Sequence, residues 1–277
     1  MNRSFEIPAG NDALLRCSRF PARSTPKSLI VIVHGYKGFK DWGMFPYLAN
    51  ALSQEHEVVT FNFSHSGIGE DLHNFTELDK FARNTFSREL KDMEILLSYL
   101  NQHPDLGSLP VFLLGHSRGG ADALLYALDH PEGITGVISW NGVTQPADLY
   151  SPDQKQDMLQ HGRAYILNGR TGQQMPLDAV LLEDLEQHKA RYQILERMKE
   201  TAFPAVLIQG TRDGEHLRHG SAQLNAIRPD IDWVQIPEGN HTFGTVHPFT
   251  GPTPQLEQAI AASEAFIDRT LAYLTGQ

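Results

Sequence analysis

The chain has 277 residues, 40% of them hydrophobic, which is enough for one large α/β domain with a substantial core. Its 23 Lys and Arg face 33 Asp and Glu, so the net charge of −10 argues against nucleic acid and an anionic membrane surface as partners. With no apolar leader in residues 1–10, no stretch near the ~18 apolar residues that span a bilayer, and one cysteine, Cys17, the sequence predicts a cytoplasmic protein without an internal disulfide.

Strand patterns begin at the amino terminus. Residues 3–8 and 13–20 flank Gly10-Asn11-Asp12 and predict an antiparallel hairpin. Six further apolar runs are typical of strands, and helical patterns mostly separate them: residues 29–33, 58–63, 111–114, 134–140, 205–208 and 233–236. This alternation predicts the α/β class with a mainly parallel sheet.

Helical spacing of apolar residues predicts a crossover helix over residues 87–100 and a closing helix over residues 255–274. Residues 144–200 form a connection longer than one helix requires, and within it residues 177–198 favour a helix. Ligands of open α/β sheets bind at the carboxyl edge of the strands. We therefore interpret residues 144–200 as a helical cap inserted into a single domain of residues 1–277, with a helical elaboration that does not contact substrate as the alternative.

The stretch Gly115-His116-Ser117-Arg118-Gly119 lies between a predicted strand and an apolar helical pattern. A strand that turns sharply into a helix presents the turn residue above the carboxyl edge of the sheet. Glycines two positions before and after that residue let strand and helix close together. Ser117 is the only serine in the chain with glycine at both positions, so we predict that it is a nucleophile.

A serine nucleophile needs a base and a carboxylate that orients the base. Asp213 follows the strand predicted at 205–208, and His241 follows the strand predicted at 233–236. The order Ser117, Asp213, His241 is the chain order that this type of nucleophile turn uses. Asp148 and His247 are rival candidates, and we disfavour them because they lie farther along their loops from a strand end.

Such chemistry also needs two donors for the oxyanion that forms on the substrate carbonyl. The backbone amide of Arg118, directly after the nucleophile, is one candidate. The loop His34-Gly35-Tyr36-Lys37-Gly38-Phe39 follows the strand at 29–33, and we predict that the amide of Tyr36 is the second donor.

Several aromatic side chains belong to loops expected around the cleft, where they would contact an acyl or phenolic group: Phe39, Trp42, His65, Tyr165 and Phe243. Packing in the core or at the surface is an equal alternative for each. His65 is the first choice for a mutation that shifts specificity.

The sequence predicts no cofactor and no metal site. His216 and His219 are three residues apart but lack an evident third ligand. Gly67-Ile68-Gly69 lacks the third glycine of a dinucleotide-binding fingerprint, and no Gly-Lys-Ser/Thr occurs. The sequence indicates no particular oligomeric state.

With these motifs assembled, the chain resembles the α/β-hydrolase superfamily over essentially its whole length. Within it, the chain is similar to the serine hydrolases near the S33-type peptidases and the cinnamoyl or feruloyl esterases. The resemblance implies an eight-stranded sheet, no cofactor and a serine-histidine-aspartate mechanism. By matching position it supports the roles of Ser117, Asp213, His241, Tyr36 and Arg118.

Members of that branch cleave esters, thioesters, amides or carbon–carbon bonds, so the fold does not determine the substrate. We expect hydrolysis of a small-molecule carboxylic ester with a small or medium acyl group. The alternatives are an aminopeptidase, a thioesterase, a carbon–carbon bond hydrolase or a non-catalytic protein that keeps the fold as a ligand pocket.

Overall fold

The computed structural model describes residues 3–10 and 13–276. The strands are β1 Arg3–Pro8, β2 Leu14–Phe20, β3 Leu29–Val33, β4 Glu57–Asn62, β5 Val111–His116, β6 Gly136–Trp140, β7 Arg163–Leu167, β8 Gln174–Asp178, β9 Ala205–Gly210 and β10 Asp232–Ile236. The helices are α1 Phe45–Leu52, α2 Leu78–Phe81, α3 Phe86–Asn101, α4 Arg118–Asp129, α5 Pro152–His161, α6 Val180–Gln187, α7 Ile194–Arg197, α8 Glu215–Ile227 and α9 Pro254–Thr275.

Eight strands form one sheet in the order β1-β2-β4-β3-β5-β6-β9-β10. β2 pairs antiparallel with β1 and β4, and every pair from β4 to β10 is parallel. The predicted mainly parallel, eight-stranded sheet is therefore confirmed, as are the opening hairpin and the six later strands. Asn11 and Asp12 of the predicted hairpin turn lie outside the described residues.

Helices cover both faces of the sheet. In β3, Val31 packs into the core layer that contains α3 and α4, whereas Ile30 and Ile32 pack into the layer that contains α1 and α9. All five residues of β3 are buried, because a parallel strand between two helical layers has no solvent face. This explains the continuous apolar run in its sequence.

The two predicted amphipathic helices are confirmed with small shifts in their ends. The hydroxyl of Thr85 caps α3 by accepting from the amide of Arg88, and Thr253 caps α9 by accepting from Leu256. Pro254 occupies the first turn of α9, where a missing amide proton costs no helical hydrogen bond.

Residues 144–200 fold differently from the prediction. The helical prediction for 177–198 is confirmed in part: α6 and α7 lie within it, but Leu177 belongs to β8 and the residues between the two helices are not helical. β7 and β8 form an antiparallel hairpin in which Leu177 pairs with Ala164, so strand pairing and burial override the helical propensity. Met158, Met175 and Leu181 of this segment share a third core cluster with Phe39 and Phe75.

The 144–200 segment thus packs against the loops that follow β3 and β4, at the carboxyl edge of the sheet. Its role as a cap over substrate stays a prediction. Within the described ranges, no helix is both long enough and apolar enough to cross a membrane.

Candidate active site

Ser117 lies in the tight turn between β5 and α4. Its backbone adopts φ 59° and ψ −122°, a region that non-glycine residues rarely occupy and that marks a strained turn. A Cβ atom on Gly115 would lie 2.1 Å from the carbonyl oxygen of Gly119, and one on Gly119 would lie 2.3 Å from the carbonyl oxygen of Val33. Both glycines are therefore required for strand and helix to meet at this corner.

The structure brings Ser117, His241 and Asp213 together in one chain of hydrogen bonds. His241 Nε2 lies 2.9 Å from Ser117 Oγ, and His241 Nδ1 lies 2.8 Å from Asp213 Oδ1. A carboxylate only accepts hydrogen bonds, so Nδ1 carries the proton and Nε2 is left to accept from the serine hydroxyl. This arrangement is able to remove a proton from Ser117.

The rival residues lie elsewhere. Asp148 is exposed at the end of a short turn between β6 and α5. His247 Nδ1 accepts a hydrogen bond from the amide of Gly43 at 2.9 Å, and its ring stacks on Trp42. Neither residue makes a hydrogen bond to Ser117 or His241 in the described structure.

Asp213 is held by three donors. Besides His241, the amide of Gly214 donates to Oδ1 at 2.8 Å, and Gln209 Nε2 donates to Oδ2 at 2.5 Å. Ser221 Oγ donates to Gln209 Oε1 at 2.5 Å. These bonds fix the carboxylate plane toward His241.

The loop that carries His241 is anchored through its own backbone. His116 Nε2 donates to the carbonyl oxygen of His241 at 2.7 Å, and Asn141 Nδ2 donates to the same oxygen at 3.0 Å. Burial lowers the pKa of His116 to about 3, so its ring stays neutral. The Oδ1 atom of Asn141 accepts from the amide of Gly210 at 2.8 Å, which ties β6 to β9.

Sequence reasoning missed His116, Asn141 and Gln209. His116 ends β5, Asn141 directly follows β6, and Gln209 is the penultimate residue of β9. A polar residue at the carboxyl end of an otherwise apolar strand is the signal that could have identified them.

Arg118 directly follows the nucleophile, and the loop that carries Tyr36 passes close to it. Arg118 is the first residue of α4, where the amide has no acceptor within the helix and the helix dipole favours an anion. Tyr36 lies in the loop after β3, and a Cβ atom on the preceding Gly35 would lie 2.8 Å from Ser117 Cβ. That loop passes directly against the nucleophile.

The side chain of Arg118 is buried beneath the turn, which the sequence did not indicate. Its Nε donates to Glu89 Oε2 at 2.6 Å, and a terminal nitrogen donates to the carbonyl oxygen of Asn84 at 2.8 Å. The guanidinium carbon lies 4.2 Å from the ring centroid of Phe86 and 5.2 Å from that of Tyr36. Arg118 therefore joins the nucleophile turn to α3 and to the loop that carries the second amide.

Asp122 lies next to this ion pair on α4 and is also completely buried. Burial and the neighbouring Glu89 raise the pKa of Asp122 well above its usual range. Burial raises the pKa of Glu89 as well, whereas the charge and the hydrogen bond of Arg118 lower it. We assign the negative charge to Glu89, which bonds Arg118 directly, and the proton to Asp122.

Two of the five predicted substrate-binding residues are core residues. Phe39 and Phe243 are 0% exposed, because Phe39 packs edge-on against Phe75 and Phe243 packs edge-on against Trp140. Their burial favours the core-packing alternative for these two residues.

The other three stay predictions. Trp42 is partly buried under His247, and Tyr165 is 53% exposed on β7. His65 follows β4, and its Nδ1 lies 2.9 Å from Ser64 Oγ. Burial, followed by the charge of Arg88, lowers the pKa of His65 to about 4, so this ring is neutral near pH 7.

His216 and His219 lie on α8. Across the described residues, no group of three His, Cys, Asp or Glu side chains is arranged to hold a metal ion.

Comparison with protein-family models finds one match. The model described as "Serine aminopeptidase, S33" covers residues 24–193. The matched region contains Tyr36, Ser117 and Arg118, whereas Asp213 and His241 lie beyond it.

Among curated proteins, the chain is similar to monoglyceride lipases. It is 33% identical to the rat enzyme over 140 residues and 32% identical to the human enzyme over 139 residues. Each alignment covers 50% of this chain and 41% of the lipase, so the chain spans less than half the length of these relatives.

Solved structures match over nearly the whole chain. Est1E from Butyrivibrio proteoclasticus with bound ferulic acid has a TM-score of 0.73 at 16% identity and covers 97% of this chain and 99% of that one. Mouse alpha/beta hydrolase domain-containing protein 10 has a TM-score of 0.68 at 18% identity, with 96% and 99% covered. At these identities the likeness establishes the α/β-hydrolase fold and nothing about substrate.

Proposed function

Since the chain belongs to the serine aminopeptidase S33 family, we propose that it is a serine hydrolase that cleaves a carboxylic ester with a small or medium acyl group. The observation that carries this proposal is the continuous hydrogen bonding from Ser117 Oγ through His241 to Asp213. A serine hydroxyl becomes a nucleophile when an adjacent base takes its proton, and His241 is oriented to do so.

The roles follow from the geometry. His241 Nε2 takes the proton as Ser117 Oγ attacks the substrate carbonyl, and Asp213 stabilises the imidazolium that forms. The amides of Tyr36 and Arg118 donate to the oxyanion, and protonated His241 then gives its proton to the departing alcohol. An acyl-serine remains, and water activated by His241 releases the acid. The residues of this chain supply each of these groups, so the mechanism needs no cofactor.

The hydrogen bonds that fix His241 and Asp213 in position support the same assignment. His116 and Asn141 fix the carbonyl of His241, and Gln209 fixes the carboxylate of Asp213. Catalysis of this kind depends on donors and bases that are already in position before the reaction. The three residues that sequence reasoning missed therefore act as positioning residues.

The test is hydrolysis of 4-nitrophenyl butyrate by the parent chain and by Ser117→Ala. We expect kcat to fall at least about 1,000-fold, because removal of the nucleophile leaves only the oxyanion donors and binding. Ser98→Ala on the exposed surface of α3 is the matched control. Retained turnover in Ser117→Ala, or absence of labelling of the folded parent by a fluorophosphonate probe, would contradict the proposal and favour a non-catalytic ligand-binding protein.

An aminopeptidase is the second candidate, because the matching family model is described by that activity. The monoglyceride lipase relatives favour the ester instead. Alanine 4-nitroanilide and 4-nitrophenyl butyrate share a chromophore type and separate amide from ester cleavage. A thioester and a substrate with a cleavable carbon–carbon bond complete the panel.

The cytoplasmic location of the protein stays a prediction from the sequence.

A further inference from the structure

Two cations lie where the loop after β3 meets the β7–β8 hairpin. Lys37 directly follows Tyr36, and its Nζ donates to the carbonyl oxygen of Leu167, the last residue of β7, at 3.2 Å. Arg170 lies in the hairpin turn, where its guanidinium donates to the carbonyl oxygen of His73 at 3.4 Å and lies 5.9 Å from the ring centroid of Phe39. We call Lys37 and Arg170 the seam cations.

The partners of both seam cations are carbonyl oxygens and a ring. Among the described residues, neither Lys37 nor Arg170 forms an ion pair with a carboxylate, although the chain carries 33 acidic residues. Asp41 is the one acidic residue that lines a cavity of about 480 Å³ together with Arg170, His73 and His247, and Asp41 already pairs with Lys40 at 2.5 Å. The positive charge at the seam is therefore not neutralised from within the structure.

Lys37 is an unusual choice for its backbone position. It has φ 56°, a conformation that glycine adopts with less strain. Half-burial lowers its pKa, and no acidic group offsets that effect. A strained, partly desolvated lysine without a carboxylate partner lowers the stability of the fold. This indicates that the Lys37 side chain has a function other than stabilising the fold.

We propose that the seam cations bind an anionic group of the substrate, and that the preferred substrates are esters whose acyl part carries a second, ionised carboxyl group. The inference rests on the proposed ester hydrolysis and names its substrate class. Lys37 directly follows Tyr36, whose amide is the proposed oxyanion donor. A carboxylate on the acyl part of a substrate bound at that amide would therefore lie close to the loop that carries Lys37. Arg170 supplies a second positive charge at the hairpin turn.

Charge-assisted hydrogen bonds in a partly desolvated site are stronger than those in water. A substrate carboxylate also restores to Lys37 the solvation that burial removed. The preference should weaken as salt is added, because the seam cations are only partly buried and salt screens them.

The test compares two esters with the same leaving group, 4-nitrophenyl butyrate and 4-nitrophenyl hemiglutarate. We expect kcat/KM of the parent chain to be higher for the hemiglutarate than for the butyrate. Lys37→Gln should lower kcat/KM for the hemiglutarate about 10-fold and change kcat/KM for the butyrate less than about 2-fold. Glutamine removes the positive charge while keeping a polar side chain with a hydrogen-bond donor. Arg170→Gln should give a smaller loss of the same kind.

Lys155→Gln is the matched control, because Lys155 also donates to a backbone carbonyl, that of Ala147 at 2.9 Å, and lies in the 144–200 segment on α5. It should leave the ratio of the two kcat/KM values unchanged. If the parent cleaves butyrate but has no preference for hemiglutarate, or if Lys37→Gln lowers both values equally, the inference is wrong while the proposed hydrolase stands.

If neither ester is cleaved, the proposed ester hydrolysis fails and binding decides the inference separately. Glutarate should then raise the Tm of the parent and of Lys155→Gln more than that of Lys37→Gln, and the difference should shrink in 0.5 M salt, where the Debye length falls to about 4 Å. Equal shifts in all three proteins would overturn anion binding at the seam.

Discussion

Two hydrogen-bonded side-chain pairs lie near Ser117, and they differ in their exposure. In the pair of His241 and Asp213, the histidine side chain is 41% exposed and the aspartate is 1% exposed. In the pair of Arg118 and Glu89, the two side chains are 1% and 3% exposed. The first pair contains the proposed general base, which is partly exposed, whereas the second holds a permanent cation inside the protein.

The difference separates two requirements of acyl transfer. A base must exchange protons with substrate and water, so His241 has to reach the cleft. The proposed oxyanion donors, the amides of Arg118 and Tyr36, must stay fixed, and the guanidinium of Arg118 packs against the ring of Tyr36. We infer that the exposed pair performs the proton transfer and that the buried pair holds the two donors in place.

Asp213→Asn should break the exposed pair with the largest effect on activity. An amide in place of the carboxylate favours the wrong tautomer of His241, and we expect kcat for 4-nitrophenyl butyrate to fall about 10,000-fold. The Tm should fall modestly, because the Nδ2 group of asparagine would face a donor, either Gln209 Nε2 or His241 Nδ1, in place of an acceptor oxygen. Asp148→Asn, at the exposed rival acid, should leave kcat unchanged, and an equal loss in both variants would refute the assignment of Asp213.

Glu89→Gln should break the buried pair and affect stability first. Removing one partner leaves the buried Arg118 charge without the carboxylate that bonds it directly, which costs about 3–5 kcal/mol in the free energy of unfolding. Chemical denaturation of the variant measures this loss. The double variant Glu89→Gln, Arg118→Met removes the charge and should recover part of it.

Activity gives the buried pair a second test. If the pair positions the amides, Glu89→Gln should lower kcat for 4-nitrophenyl butyrate while KM stays nearly constant, because the oxyanion exists only after attack. A folded variant with an unchanged kcat would show that the pair is structural only.

The proximity of Ser117, Asp213 and His241 could be predicted because each follows a parallel strand, and the carboxyl ends of such strands meet at one edge. Each of these signals is a strand pattern followed directly by a polar residue, so it can be recognised from neighbouring residues in the sequence. The ion pair of Arg118 with Glu89 joins side chains 29 positions apart, and nothing local in the sequence marks it. The β7–β8 hairpin was missed for a related reason, because burial of Met175 and Leu177 against the loops decided its structure.

Asp92 is a buried carboxyl group near the pair of Arg118 and Glu89 and, among the described residues, it has no ion-pair partner of its own. It lies on α3, three residues after Glu89, and its Oδ2 accepts from the amide of Ser64 at 2.7 Å. Burial raises the pKa of Asp92 from its usual 3.8 to about 7. The raised value means that the folded chain holds a proton there that the unfolded chain releases, so the stability from Asp92 is complete below pH 3.8 and is lost as the pH rises through 7.

Asp92→Asn mimics the protonated carboxyl at every pH and should therefore remove this loss. We expect the free energy of unfolding of the variant, relative to the parent, to rise by about 3 kcal/mol between pH 5 and pH 8, because the stability of the parent falls by ~1.4 kcal/mol for each pH unit from 5 to 7. Denaturant titrations at the two pH values measure the difference. Asp79→Asn, at a carboxylate that is 85% exposed on α2, should show no such rise. A constant difference between parent and Asp92→Asn at both pH values would mean that Asp92 stays ionised, and that the region around Arg118 holds more negative charge than Glu89 alone.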